Sequence, residues 1–199
     1  MAAVTPRRLV LAITGASGAV HGLRLAQVLH ATPGIELHLV VSPSGWRTVG
    51  HELGMTRGDF APLAHQLHDA ADVGASIASG SFRCDGMVIA PCSMSTLAAV
   101  AHGLADNLIR RAADVTLKER RRLVLMVRES PLHLGHLRNM TTVTELGAIV
   151  CPPMGAFYNW PRSIEELVDQ SVGRVLDLLN VAHELGSRWT GLEAPAAAP

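Results

Sequence analysis

The sequence predicts an α/β fold, a parallel β-sheet covered on both faces by helices. Three observations carry that expectation. Short apolar runs of strand length recur along the chain and alternate with stretches of helical spacing. The runs are apolar nearly throughout, as strands buried on both faces are. Two of them lead through a turn of glycines or hydroxyls straight into a helical pattern, which is how a crossover between parallel strands begins.

Residues 1–6 read as a loose arm. LVLAIT (9–14) is the first strand, 15–19 a glycine turn and 20–31 a helix. ELHLVVS (36–42) is the second strand; 43–45 turn the chain and 46–53 form a helix. Residues 56–81 show no clear period, because Gly58, Gly74 and Gly80 interrupt them. GMVIA (86–90) is the third strand and ends in Pro91-Cys92-Ser93. Residues 95–102 and 105–118 are helices separated at Gly103, 123–127 is the fourth strand, 131–145 is mainly helical and 148–151 is the fifth strand. Residues 163–179 are an amphipathic helix, with Ser163 and Glu166 spaced as a capping box. EAPAAAP (193–199) is expected to be disordered. There is no internal repeat. The expected organisation is an arm (1–8), one domain (9–186) and a flexible tail (187–199).

The 199 residues fit one domain, and 48% hydrophobic against 17% charged residues supports a sizeable core. A formal net charge of zero argues against a general nucleic-acid binder. Cys84, Cys92 and Cys151 are too few and scattered for a disulfide framework or a zinc site. No apolar run approaches the roughly 18 residues of a membrane span. Arg7 and Arg8 precede an apolar run in the manner of a signal peptide, but Gly15, Ser17 and Gly18 break it early, so a cytoplasmic protein is expected. The ten histidines show no metal-binding spacing; His65, His68 and His183 read as surface residues, and no metal is expected.

Chemistry concentrates at strand ends. In LVLAITGASGA, Gly15 and Gly18 permit a tight bend before a helix whose free N–H groups suit an anion, although a structural turn explains the motif equally well. In VIAPCSMST, Ser93, Ser95 and Thr96 supply three hydroxyls where one would cap the helix, which favours a ligand. Cys92 reads as a small buried residue. Lys118, Arg120, Arg121, Arg122 and Arg128 surround the apolar run 123–127, and Glu129 closes it. LKERRR alone reads as a solvated turn. Arg128-Glu129, at a strand's C-terminal end, reads as functional: the cation suits a phosphate and the acid can give a departing phosphate its proton. Tyr158, in the loop PPMGAFY, reaches the same rim; in isolation it and Arg174 are more often structural, a tyrosine packed against its loop and an arginine on a solvated helix face.

TGASGA, SGSFRCDGMVIAPCSMSTLA, GLADNLIRRAADVTLKERRRLVLMVRESP and PPMGAFY, in this order, make the chain similar to the UbiX-like flavin prenyltransferases, also known as phenolic-acid decarboxylase B subunits. The resemblance covers residues 9–179. It implies a flavodoxin-like (Rossmann-like) doubly wound parallel sheet, a three-layer sandwich that binds FMN. It also implies a metal-independent reaction. Dimethylallyl phosphate gives its prenyl group to N5 and C6 of reduced FMN, phosphate leaves, and the prenylated FMN serves a UbiD-like decarboxylase. By motif, Gly15, Ala16, Ser17, Ser42, Ser93, Met94, Ser95, Thr96 and Arg128 would hold the flavin. Arg111, Lys118, Arg128, Tyr158 and Arg174 would bind the prenyl phosphate. Glu129 would carry the proton to the leaving phosphate, with Glu52 the second acidic residue and Ser17 and Lys118 completing the catalytic set. A homododecamer with sites at subunit contacts is implied as well. The chain departs from the family where Ser95 replaces a frequent lysine, GAFY replaces PAFY, and DVGASIA places no aromatic before SGSF. Two other readings stand beside this one: an FMN-dependent cysteine decarboxylase of the same fold, and a flavin carrier subunit without activity.

Overall fold

In the computed structural model, which describes residues 6–186, 188, 189 and 191, the apolar runs become neighbouring strands of one sheet. The strands are β1 (Arg7–Ile13), β2 (Ile35–Val41), β3 (Gln66–Asp69), β4 (Gly86–Cys92), β5 (Arg122–Val127) and β6 (Ile149–Val150). They lie in the order β3-β2-β1-β4-β5-β6, and every pairing is parallel. The helices are α1 (Ala19–Ala31), α2 (Pro43–Leu53), α3 (Arg57–Phe60), α4 (Met94–Ala101), α5 (Leu108–Lys118), α6 (Leu134–Glu145) and α7 (Ile164–Leu178).

Successive strand residues point to opposite faces, so an uninterrupted apolar strand supplies two cores. Leu9, Leu11 and Ile13 of β1 join Leu37, Leu39 and Val41 of β2 beneath α1 and α7. Val10, Ala12 and Val40 face the other way, with Met87, Ile89, Leu123 and Leu125 beneath α4 and α5. All seven residues of β4, the central strand, are buried. The expected three-layer sandwich is therefore present. Each buried Leu or Ile stabilises it by roughly 1.5–3 kcal/mol relative to exposure.

The structure adds β3, inside the stretch that showed no period. Only His68 of its four residues is buried, so an edge strand here leaves no apolar pattern to read. β1 begins at Arg7, inside the expected arm; residues 1–5 lie outside the described residues. α2 begins at Pro43 rather than after a turn, with Ser42 accepting from Gly45 N at 2.9 Å. Ser163 does cap α7 at Glu166 N (3.2 Å), but the Glu166 carboxylate reaches back to Arg162 N (2.7 Å), one residue earlier than the expected capping box requires.

Two histidines read as surface residues are buried. His68 is 5% exposed and meets His38 of β2, Nε2 to Nδ1, at 3.0 Å. Burial, then the neighbouring histidine charges, push His38 down to about 4. The side chain of His183 is buried against α7 although its backbone is partly exposed, while His65 is exposed as expected. Cys92 is buried as expected, and burial pushes its thiol up to about 12, far from a reactive thiolate. No helix among the described residues is long and apolar enough to cross a membrane.

Candidate active site

The strand order reverses between β1 and β4, and open α/β sheets collect ligands at the C-terminal ends flanking such a point. Here the N-termini of α1, α2 and α4 converge. Buried Thr14 ties the rim together: its hydroxyl donates to Pro91 O at 2.8 Å and accepts from Ser93 N at 2.8 Å. Gly15 brings the β1–α1 loop against the start of α2; a Cβ there would lie 2.5 Å from Ser44 Cβ. Gly18 takes φ 101°, which only glycine adopts easily, and is the N-cap of α1. The third glycine of the motif, Gly22, serves packing: a Cβ would stand 2.5 Å from Ala90 O.

Glu52, near the end of α2, reaches across to the start of α1. Its carboxylate accepts from Gly18 N at 2.9 Å and Ala19 N at 2.8 Å, and the Ser17 hydroxyl donates to it. Loss of solvent opposes the charged form, but the Ser17 hydroxyl, these N–H groups and the charge of Arg128 outweigh it and hold Glu52 below the usual carboxylate range. Ser17, Glu52 and Arg128 thus form one electrostatic cluster. Arg128 leaves the end of β5 with its backbone N–H on Cys92 O (3.1 Å). Its guanidinium is exposed and has no hydrogen-bond or ion-pair partner among the described residues. Glu129 beside it is exposed and accepts from the backbone N–H of Ser130 at 3.1 Å.

Several hydroxyls of the rim already have structural work. Ser42 caps α2 and meets Ser44 Oγ at 3.1 Å. Ser93 caps α4 at Thr96 N (3.3 Å) and shares a hydrogen bond with Thr96 Oγ1 (3.1 Å), with Met94 buried between them. Ser95 is exposed and accepts from Arg110 Nη2 at 3.2 Å, while Arg110 is held by Asp106. Ala16 closes the turn through its N–H on Thr14 O at 2.9 Å.

Tyr158 and Arg174 line a separate cavity of about 490 Å³ with Cys151, Asp177, Arg188 and Trp189. It adjoins the rim, because β6, paired with β5, delivers Cys151, whose N–H donates to Leu125 O at 2.9 Å. Arg174 is exposed and without a hydrogen-bond or ion-pair partner among the described residues. An unpaired guanidinium, a phenol and apolar walls suit an anion carrying a short hydrocarbon.

Two of the proposed residues lie elsewhere in the chain. Lys118 ends α5, ahead of the N-terminal end of β5, and is ion-paired with Glu119. Six strand residues, about 20 Å, separate that edge from Arg128. Arg111 holds Ala78 O (3.1 Å) and Asp114 (2.8 Å) on the flank of α5. Asp177, His183, Arg188 and Trp189, which line the cavity with Tyr158 and Arg174, were not among the residues the sequence singled out for a site. Their one signal is the Arg188-Trp189 pair, one of only three tryptophans, within the expected tail; residues 187, 190 and 192–199 of that tail lie outside the described residues.

Glycine-shaped strand ends, converging helix N-termini and, among the described residues, an unpaired arginine at the switch point define a flavodoxin-like fold whose rim suits a phosphorylated ligand. The flavoprotein family model matches residues 3–176. The chain is 53% identical over 186 residues to the flavin prenyltransferase UbiX of Thauera aromatica, covering 94% of this chain and 95% of that protein. The crystal structure of AnUbiX (PadA1) with FMN and dimethylallyl pyrophosphate superposes with a TM-score of 0.92 at 48% identity, over 94% of this chain and all of that one (100%). A dodecameric FMN-dependent UbiX-like decarboxylase from Escherichia coli O157:H7 gives 0.90 at 46% identity, covering 92% and 100%. The chain therefore belongs to the UbiX-like flavin prenyltransferase family. Likeness to the FMN-dependent cysteine decarboxylase SpaF, at 19% identity and a TM-score of 0.60, reflects the fold alone.

Proposed function

We propose that this chain joins a dimethylallyl group from dimethylallyl phosphate to FMN and passes the prenylated flavin, in the cytoplasm, to a UbiD-like decarboxylase. The observation that supports this most is a pair of guanidiniums that have no hydrogen-bond or ion-pair partner among the described residues, Arg128 at the rim and Arg174 in the adjoining cavity, with Glu129 next to the first.

The residues present fit a flavin. The loop from Gly15 to Ser17 is thin and exposed, the N-termini of α2 and α4 offer Ser42, Ser93, Met94, Ser95 and Thr96, and Arg128 is free for an anion. When bound, reduced FMN supplies the electron-rich acceptor atoms, N5 and C6. The chain's own part is to place the donor and manage charge. Tyr158 and Arg174 hold the phosphate of the prenyl donor, and Arg128 stabilises negative charge growing there as the allylic C–O bond breaks. Glu129 gives that phosphate its proton. The Ser17 hydroxyl, aligned by Glu52, is a proton relay on the flavin side. Positioning two reactants accounts for much of such a rate.

Lys118, and with it Arg111, reaches a site only in an assembly, where another copy presents α5 and the N-terminal end of β5; a dodecamer is the arrangement we infer. Under a carrier reading, this chain would activate an apo UbiD-like decarboxylase with flavin alone. Under ours, decarboxylation appears only when reduced FMN and dimethylallyl phosphate are both supplied. Activation without the prenyl donor would overturn the enzymatic reading.

A further inference from the structure

Beyond α7 the chain doubles back on itself. Asn180 takes φ 54°, and the following segment runs along α7 toward the helix's start. Three turns of α7 fix its course. His183 Nε2 meets Asp177 Oδ1 at 3.2 Å. Gly173, one turn earlier, has no side chain to obstruct it; a Cβ there would lie 2.8 Å from His183 Cε1 and 3.0 Å from Leu185 O. Gly186, at φ 69°, rests beside Gln170. Residues 170, 173 and 177 share one helix face. Arg188 then reaches back to Asp177, Nη2 to Oδ1 at 2.9 Å and Nη1 to Oδ2 at 3.4 Å. Trp189 lies edge-on to Tyr158 with ring centroids 5.1 Å apart.

We propose that Asp177 is a positioning residue: it latches this C-terminal strap across the Tyr158–Arg174 cavity, so that the strap walls the site for the prenyl phosphate. This rests on the functional reading above. Among the described residues, Asp177 is the one carboxylate that grips the strap twice, through a ring nitrogen and a guanidinium. Leu185 N donates to His183 Nδ1 at 3.0 Å, which leaves Nε2 as the protonated nitrogen facing Asp177. The latch has a second effect. Asp177 stands three residues from Arg174, the spacing of a helix ion pair, yet that pair is absent because Arg188 and His183 occupy the carboxylate. Arg174 stays available for an anion. Asp177 therefore governs the prenyl-phosphate subsite from two sides, closing its wall and sparing its cation, without touching the flavin rim.

The test compares Asp177→Ala, Arg188→Ala and the double variant in the full chain, with Asp169→Ala as a control. Asp169 pairs with Arg24 elsewhere on α7, at 2.6 Å, away from the cavity. Loss of a charge-assisted pair is expected to raise KM for dimethylallyl phosphate about tenfold in either single variant. FMN affinity and kcat stay near wild type, and the double variant is no worse than the worse single one, because both remove the same contact. Asp177→Asn, which keeps one acceptor oxygen, recovers part of the loss. Hydrogen exchange across residues 181–186 rises in Asp177→Ala and not in Asp169→Ala. A strap still protected in Asp177→Ala overturns the latch. So does a loss of flavin affinity and thermal stability without a change in KM. Exchange needs no turnover, so a wild-type chain that fails to prenylate flavin defeats the functional reading separately.

Discussion

At the rim, Glu52 accepts from two backbone N–H groups and a serine hydroxyl, whereas in the cavity wall Asp177 is gripped by an arginine and a histidine. Both carboxylates lie below their ordinary values, for different reasons. For Glu52, neutral donors of fixed geometry do most of the work against the loss of solvent, with the charge of Arg128 a smaller addition. For Asp177, the cation Arg188 does most of that work, followed by His183. Neutral dipoles are barely screened by salt, while an ion pair with an exposed partner such as Arg188 is. The rim is thus a rigid cradle made by the strand ends. The cavity has a wall that electrostatics holds shut.

Breaking the chemistry while sparing both regions gives the largest effect. Glu129→Gln removes the proton donor, touches neither carboxylate, and is expected to slow prenyl transfer by about 10²–10⁴-fold with flavin affinity intact, read by single-turnover kinetics.

Acid separates the sheet from both regions. His38, pushed down to about 4 from an ordinary 6.5, is neutral in the folded chain over a range where the unfolded chain binds a proton. The contribution of His38 to stability is therefore fully present above 6.5 and lost as pH falls toward 4, by roughly 3 kcal/mol. Glu52 and Asp177, whose ordinary values are 4.5 and 3.8, contribute stability that is present above those values and lost only further down. Urea midpoints at neutral pH and in mild acid should thus fall before either carboxylate is protonated, and His38→Gln should flatten that early fall.

Removing one guanidinium from each region sharpens the contrast. Arg174→Ala should raise KM for the prenyl phosphate about tenfold or more and leave FMN affinity unchanged; Arg128→Ala should weaken both. Equal effects of the two variants on flavin binding would merge the regions into one site. Smaller still is Thr14→Val, which leaves Ser93 N without its acceptor and should cost about 1–3 kcal/mol of stability, measured by chemical unfolding, with the cavity unaffected.

The same contrast explains what was legible in the sequence. Strands such as LVLAIT and GMVIA announce themselves because both faces are buried, and the rim follows from them, since a strand end, a glycine turn and a helix start are consecutive residues. Arg128-Glu129 was readable for the same reason. β3 was not, because an exposed edge strand with one buried histidine has no period. The hydroxyl of Ser93 pointed to a ligand in the sequence, and that of Ser42 did so by family resemblance, yet each also caps a helix, a role that spacing alone does not separate from binding. Asp177 and His183 were hidden because their meeting depends on a chain reversal at Asn180, where a non-glycine residue adopts a left-handed conformation. Lys118 was read with Arg128 because they flank one strand; the strand's length sets them apart.

The most direct measurement is anaerobic incubation of the purified chain with reduced FMN and dimethylallyl phosphate, followed by mass spectrometry of the extracted flavin. The expected result is a mass gain of one dimethylallyl group, absent in Glu129→Gln. Unmodified FMN recovered from a chain that binds it tightly would contradict it.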